Sequence, residues 1–222
     1  MKRVLLRGNK MTFSKEQLLL YAITDEFANQ RLSLFEQVEY ALSGGATMIQ
    51  LRAKTLSADD IAAKAKELLP LCHKYGAALI INDDPFIAAK CGADGVHVGL
   101  TDMPVREIRE RFGSGLIVGA TAKTVVQAKT AEEQGADYIG VGAVFPSPTK
   151  NNAIRITAQQ LREITASVDI PAVAIGGITA QNALMLKGCG ISGIAVVSAV
   201  FGAPDIKAAA DELNKTAREI VG

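Results

Sequence analysis

Gly135-Ala-Asp-Tyr-Ile-Gly-Val-Gly-Ala-Val-Phe-Pro-Ser-Pro-Thr-Lys150 is the stretch from which the fold can be read. It opens on a glycine suited to a helix end, turns tightly, and enters an apolar run of strand length, residues 138–142. The run then breaks into a loop carrying Pro146 and Pro148, which fix φ and remove two N–H donors. Ser147 and Thr149 offer hydroxyls and Lys150 a point charge. A stiff, hydroxyl-rich, cationic loop at a strand end suits an anion, most simply a phosphate. A surface loop without chemistry has the same composition.

The strand entrance recurs. Gly45-Ala-Thr-Met-Ile, Gly92-Ala-Asp-Gly-Val and Gly190-Ile-Ser-Gly-Ile resemble Gly135-Ala-Asp-Tyr-Ile, and they precede the second, fourth, eighth and sixth apolar runs respectively. The runs lie at residues 18–24, 48–52, 78–81, 95–98, 116–119, 138–141, 172–175 and 193–197. Amphipathic stretches separate them. Ser33, Ser57, Thr124, Thr157, Thr179 and Asp205 are placed to cap helices, and Pro85 and Pro104 to open two more. Eight strands, each followed by a helix, predict a single-domain (β/α)8 TIM barrel. The barrel is expected over residues 16–222, after an N-terminal extension at 1–15. A chain of 222 residues is an ordinary length for one such unit.

Composition narrows the function. Lys and Arg total 24 against 23 Asp and Glu, so no general basic surface is available for nucleic acid. Trp is absent and aromatics are few, which argues against base stacking. Cys72, Cys91 and Cys189 have no metal-ligand spacing and read as reduced thiols of a cytoplasmic protein. None has a base nearby in sequence, so thiol catalysis has no support. No apolar run approaches the roughly 18 residues that a membrane span requires.

Barrel active sites lie at the C-terminal ends of the strands, and there the polar groups collect. Gln50, Arg52 and Lys54 follow the second strand; Asn82, Asp83 and Asp84 the third; His97 and Asp102 the fourth; Thr121 and Lys123 the fifth. Ser147, Thr149 and Lys150 follow the sixth, Gly176-Gly177 the seventh, and Val197-Ser198 the eighth. Backbone N–H groups at Gly176-Gly177 and Val197-Ser198 would suit a phosphate, although glycines there equally serve a tight turn. Arg52, Lys54 and Lys150 form a second cationic set, so two phosphorylated groups are implied. Asp83 and Asp102 would suit Mg2+ beside a pyrophosphate, while an aspartate before Pro85 or Pro104 also suits a helix cap. His97 could face a heterocycle or be a satisfied core residue.

Gln50-Leu-Arg-Ala-Lys54, Asn82-Asp-Asp84, His97-Val-Gly, Asp102, Pro146-Ser-Pro-Thr-Lys150, Ile175-Gly-Gly-Ile178 and Val197-Ser198 together resemble the thiamine-phosphate synthase family, over nearly the whole chain. The resemblance implies a transferase joining 4-amino-5-hydroxymethyl-2-methylpyrimidine diphosphate to hydroxyethylthiazole phosphate, with release of pyrophosphate. It implies that Gln50, Arg52, Lys54, Asn82, Thr121 and Lys150 hold the pyrimidine diphosphate, with His97 beside the heterocycle. Ser147, Thr149, Gly177, Val197 and Ser198 would hold the thiazole phosphate. Asp83 and Asp102 would bind Mg2+, and Arg52, Lys54 and Lys150 would carry the catalysis. Its partners would be small phosphorylated substrates, with a homo-oligomer allowed and neither nucleic acid nor membrane. Leu100 stands where the family often has Gln, and Thr121 where it often has Ser. Lys123 stands where many members have His. A related group, the metal-independent thiazole tautomerases, uses that His for proton transfer, so Lys123 weakens the tautomerase alternative. A non-catalytic sensor of the same phosphates is a third reading.

Overall fold

The computed structural model describes residues 11–146 and 155–222. Eight parallel strands close into a barrel in sequence order, and the eighth pairs back to the first. They are β1 Leu20–Ile23, β2 Met48–Leu51, β3 Ala78–Asn82, β4 Gly95–Val98, β5 Ile117–Ala122, β6 Tyr138–Gly142, β7 Ala172–Ile175 and β8 Gly193–Val196. Around them lie α1 Leu34–Ser43, α2 Ala58–Lys74, α3 Pro85–Cys91, α4 Val105–Phe112, α5 Val125–Glu133, α6 Ala158–Thr165, α7 Ser198–Phe201 and α8 Ile206–Val221. The expected TIM barrel is therefore present.

The strands read as continuously apolar because parallel strands are buried on both faces. Their period of two appears only in what each side chain touches. Tyr21, Ile23, Met48, Ala78, Ile80, Ile117, Tyr138, Val173 and Ala195 pack together inside the barrel. The alternate residues, among them Leu20, Ile49, Leu79, Val96 and Val118, pack against the helices. A one-residue slip of any strand would exchange these faces. Each large aliphatic side chain so buried contributes about 1.5–3 kcal/mol.

The internal repeat has a structural cause. Its glycines Gly45, Gly92, Gly135 and Gly190 have φ of 99, 77, 91 and 71°. In three of the four copies the polar residue two positions later receives a backbone N–H from the preceding strand. Leu20 donates to Thr47 Oγ1 at 2.9 Å, Leu79 to Asp94 Oδ2 at 2.8 Å and Val118 to Asp137 Oδ2 at 2.6 Å. The repeat thus ties the strands together at the end of the barrel remote from the polar groups.

Details differ from expectation. Thr179 does not cap a helix: its N–H donates to Asn182 Oδ1 and Asn182 Nδ2 donates to Gly177 O, both at 2.9 Å. These side-chain bonds compete with a helical ladder, and only a 3-10 turn, Ala183–Leu186, follows. The segment after β8 instead forms two helices, α7 and α8. Leu18 belongs to a 3-10 turn, Lys15–Leu18, rather than to β1. Of the stretch assigned to an extension, Phe13 stacks on Tyr138 with ring centroids 5.7 Å apart, and Met11 N–H donates to Asp94 Oδ1 at 3.2 Å.

Candidate active site

The strand period places Gln50, Asn82, His97 and Thr121 on the inward faces of β2, β3, β4 and β5. Asn82 pairs with His97 and Ile23 with Gln50 in the register. Thr121 lies within β5, which runs three residues further than the apolar run suggests. Gln50 is buried and donates from Nε2 to the Tyr21 hydroxyl at 2.6 Å. His97 Nε2 lies 3.1 Å from Thr121 Oγ1 and its Nδ1 3.2 Å from the Tyr138 hydroxyl. His97 is thus part of a satisfied hydrogen-bond network, the second of the two readings that the sequence allowed. Arg52 is held by its backbone, its N–H donating to Thr24 Oγ1 at 2.9 Å and its carbonyl accepting from the same hydroxyl at 3.2 Å.

The aspartates divide by role. Asp84 caps α3, accepting from Phe86 N at 2.8 Å and Ile87 N at 3.0 Å. Asp83 is thereby left to face the mouth. Its φ is 67°, the only positive value at a non-glycine among the described residues, and aspartate tolerates that region better than most. Its own N–H donates to His97 O at 2.8 Å, which fixes it to β4. Asp102 reaches over the next turn and accepts from Gly99 N at 2.7 Å, so it does not cap α4. Burial first, then the neighbouring Asp102 carboxylate, holds the Asp83 carboxyl above the usual range, and Lys54 works against both. Lys54 Nζ lies 3.5 Å from Asp83 Oδ2. Two crowded carboxylates whose charges repel are suited to a divalent cation that keeps waters and substrate oxygens for its remaining positions. Among the described residues there is no cluster of three or more His, Cys, Asp or Glu.

A cavity of about 380 Å³ opens here, lined by Lys54, Asn82, Asp83 and Asp84 with Leu51 and Ile61. A larger depression, about 470 Å³, lies on the outer surface among Arg106, Glu107, Glu110, Arg111 and Gln134. No strand end reaches it, so the mouth is the better site.

On the opposite side, β6 and β7 run into close contact. Val144 N–H donates to Ile175 O at 3.0 Å and Phe145 N–H to Gly176 O at 2.9 Å. A Cβ on Gly177 would lie 2.2 Å from Pro146 O and 2.7 Å from Phe145 O, and its φ is 67°. Gly177 is thus required by a turn and a close approach, whatever it binds. Val197 and Ser198 begin α7 beside it, at the end of β8. Ser147, Thr149 and Lys150 lie outside the described residues.

Sequence reading did not single out Thr24, Tyr21 or Tyr138. Tyr21 and Tyr138 are wholly buried and their hydroxyls lie 3.0 Å apart. The available signal was the alternation Tyr138-Ile-Gly140-Val-Gly142, in which one large polar-tipped side chain shares a strand face with two glycines. Cys72, Cys91 and Cys189 are buried and form no disulfide among the described residues, and burial pushes the Cys72 thiol up to about 12. Lys123 is partly buried, and its backbone N–H donates to Gln127 Oε1 at 2.8 Å. Leu100 is exposed on the turn between Gly99 and Asp102.

Comparison with known proteins bears on this geometry. A family model described as thiamine monophosphate synthase matches residues 20–200. A thiamine-phosphate synthase of Ruminiclostridium cellulolyticum is 46% identical over 200 residues, covering 90% of this chain and 95% of that protein. One from Pyrococcus abyssi is 43% identical over 208 residues, covering 94% and 99%. The structure of a thiamine phosphate pyrophosphorylase from Pyrococcus furiosus superposes with a TM-score of 0.87 at 40% identity, covering 94% of this chain and 99% of that one. With the barrel and its polar mouth in place, these matches show that the chain belongs to the thiamine-phosphate synthase family.

Proposed function

We propose that this protein is a transferase that condenses 4-amino-5-hydroxymethyl-2-methylpyrimidine diphosphate with hydroxyethylthiazole phosphate, giving thiamine phosphate and pyrophosphate. The observation that carries the reading is the juxtaposition of Lys54, Asp83 and Asp102 at one side of the mouth. Gln50, Asn82, His97 and Thr121 receive the pyrimidine on the inward strand faces, and Arg52, Lys54 and Lys150 receive its diphosphate. Asp83 and Asp102 hold Mg2+, which when bound neutralises charge on the diphosphate oxygens.

Bond breaking precedes bond making. The C–O bond to the diphosphate opens, and the pyrimidine's amino group stabilises the resulting pyrimidinylmethyl cation. Arg52, Lys54 and Lys150 meet the charge that develops on the leaving group, so fixed electrostatics and positioning carry the catalysis. The thiazole nitrogen, positioned by its phosphate at Ser147, Thr149, Gly177, Val197 and Ser198, then attacks. No protein nucleophile is required, which agrees with three buried thiols. Buried thiols outside disulfides also suit the reducing cytoplasm, and among the described residues no helix is long and apolar enough to cross a membrane.

The test is direct. Mixing both substrates with Mg2+ releases pyrophosphate in step with thiamine phosphate, and removal of either substrate or addition of a chelator stops it. Tautomerisation of a thiazole phosphate that survives the chelator, without pyrophosphate, would overturn the reading.

A further inference from the structure

Five side chains form one continuous path across the barrel beneath the mouth. Gln50 Nε2 donates to Tyr21 Oη at 2.6 Å, Tyr21 Oη lies 3.0 Å from Tyr138 Oη, Tyr138 Oη lies 3.2 Å from His97 Nδ1, and His97 Nε2 lies 3.1 Å from Thr121 Oγ1. The space is reserved for it: a Cβ on Gly119 would fall 2.1 Å from Tyr138 Cζ, and one on Gly140 would fall 3.0 Å from His97 Cε1. Both tyrosines are wholly buried, and burial raises both phenols, so each stays neutral and brings one proton.

With Gln50 Nε2 as the donor to Tyr21, proton counting sets the direction of the remaining bonds. Tyr21 accepts from Gln50, so its own proton goes to Tyr138. Were Tyr138 to donate to Tyr21 instead, the Tyr21 proton would be buried without a partner, at the cost of an unmade hydrogen bond. Tyr138 therefore donates to His97 Nδ1, and the neutral imidazole carries its proton on Nε2 and donates it to Thr121. Among the described residues the Thr121 hydroxyl proton and the Gln50 amide oxygen have no partner, and they are left for the ligand. The whole path reverses together or not at all, because each phenol can donate only once.

We propose that Tyr21 and Tyr138 are positioning residues: Tyr21 directly makes Gln50 an acceptor, and Tyr138, through His97, makes Thr121 a donor at the mouth. This deepens the proposed function: an aminopyrimidine carries an amino donor and ring-nitrogen acceptors, the complement of that pair. The choice is built in before substrate arrives, so the ring is met in one hydrogen-bonding register at no reorganisation cost.

The test uses long-range ¹H–¹⁵N spectra of the substrate-free full chain at neutral pH. The chain has two histidines, and the His97 signals are those lost in His97→Gln. The expected result is neutral His97 protonated on Nε2. A proton on Nδ1, or a charged ring, overturns the proposal. Tyr138→Phe keeps the ring and removes the link, so His97 should become a mixture of tautomers. In the same variant kcat/KM for the pyrimidine diphosphate should fall by about fivefold, as for one hydrogen bond, with KM for the thiazole phosphate unchanged. An unaltered tautomer in Tyr138→Phe also overturns it. The spectra need no turnover, so a chain that fails to release pyrophosphate would sink the proposed reaction and leave the tautomer result standing.

Discussion

Asp83→Asn should stabilise the folded protein slightly while abolishing its metal response. Asparagine fits the geometry, since it tolerates the φ of 67° found at this position and keeps the shape of the side chain. The substitution removes the repulsion between Asp83 and Asp102 and also the attraction of Lys54 at 3.5 Å. Asp83 and Lys54 are both substantially exposed, with 36% and 59% of their side chains accessible, so each charge pair is worth only about 0–1 kcal/mol after screening. Burial and the second carboxylate outweigh Lys54, because the Asp83 carboxyl is held above its ordinary range. The net gain should therefore be a few tenths of a kcal/mol, a rise in Tm of about 1–2 °C for a chain of this size. An acid whose folded pKa exceeds its unfolded one destabilises the fold progressively as pH rises between the two values. The advantage of the variant should thus be absent in acid and complete above the folded pKa of Asp83. Thermal melts at several pH values with and without Mg2+ measure it. Saturating Mg2+ should raise the Tm of the parent by mass action and leave the variant unmoved, with pyrophosphate release lost. A variant that melts more than about 3 °C lower, a loss of roughly 1 kcal/mol, or one that responds to Mg2+ as the parent does, would refute this account of the carboxylate pair.

Two further substitutions separate the loop from the scaffold. Gly177→Ala places a Cβ 2.2 Å from Pro146 O at a φ of 67°, so the β6 loop must move; steady-state kinetics should show KM for the thiazole phosphate rising at least tenfold, about 1.4 kcal/mol, while the circular dichroism spectrum stays that of the parent. Asp94→Asn weakens a buried carboxylate that accepts from Leu79 N at 2.8 Å and Met11 N at 3.2 Å and contacts His73 at 3.0 Å. A loss of about 3 kcal/mol, or roughly 6–12 °C in Tm, is expected by calorimetry, with kcat at 25 °C retained because the residue lies at the far end of the barrel.

The barrel was legible because its signals are local. Strand-length apolar runs, helix caps such as Ser33, Ser57 and Thr157, and the recurring glycines each act within a few residues. The helix expected after Thr179 failed for a local reason as well: Asn182 bonds back to Gly177 and spends the turn in side-chain contacts. Asp83 and Asp84 were harder to separate. Both follow β3, and only the placement of α3 makes one a cap and leaves the other to the mouth.

What the sequence determined by itself was the order of elements, the end of the barrel at which polar groups gather, and the family. Those depend on residue type and spacing along the chain. Only the tertiary structure decided which residues meet. Tyr21 and Tyr138 are 117 residues apart, and nothing near either of them announces a partner. Closure of the sheet brings β8 against β1 and points β6 at β1 and β4 inside the lumen. Inside that dry space a hydroxyl must find a partner or lose the energy of a hydrogen bond, and it is this requirement that joins two unremarked tyrosines to His97 and Thr121.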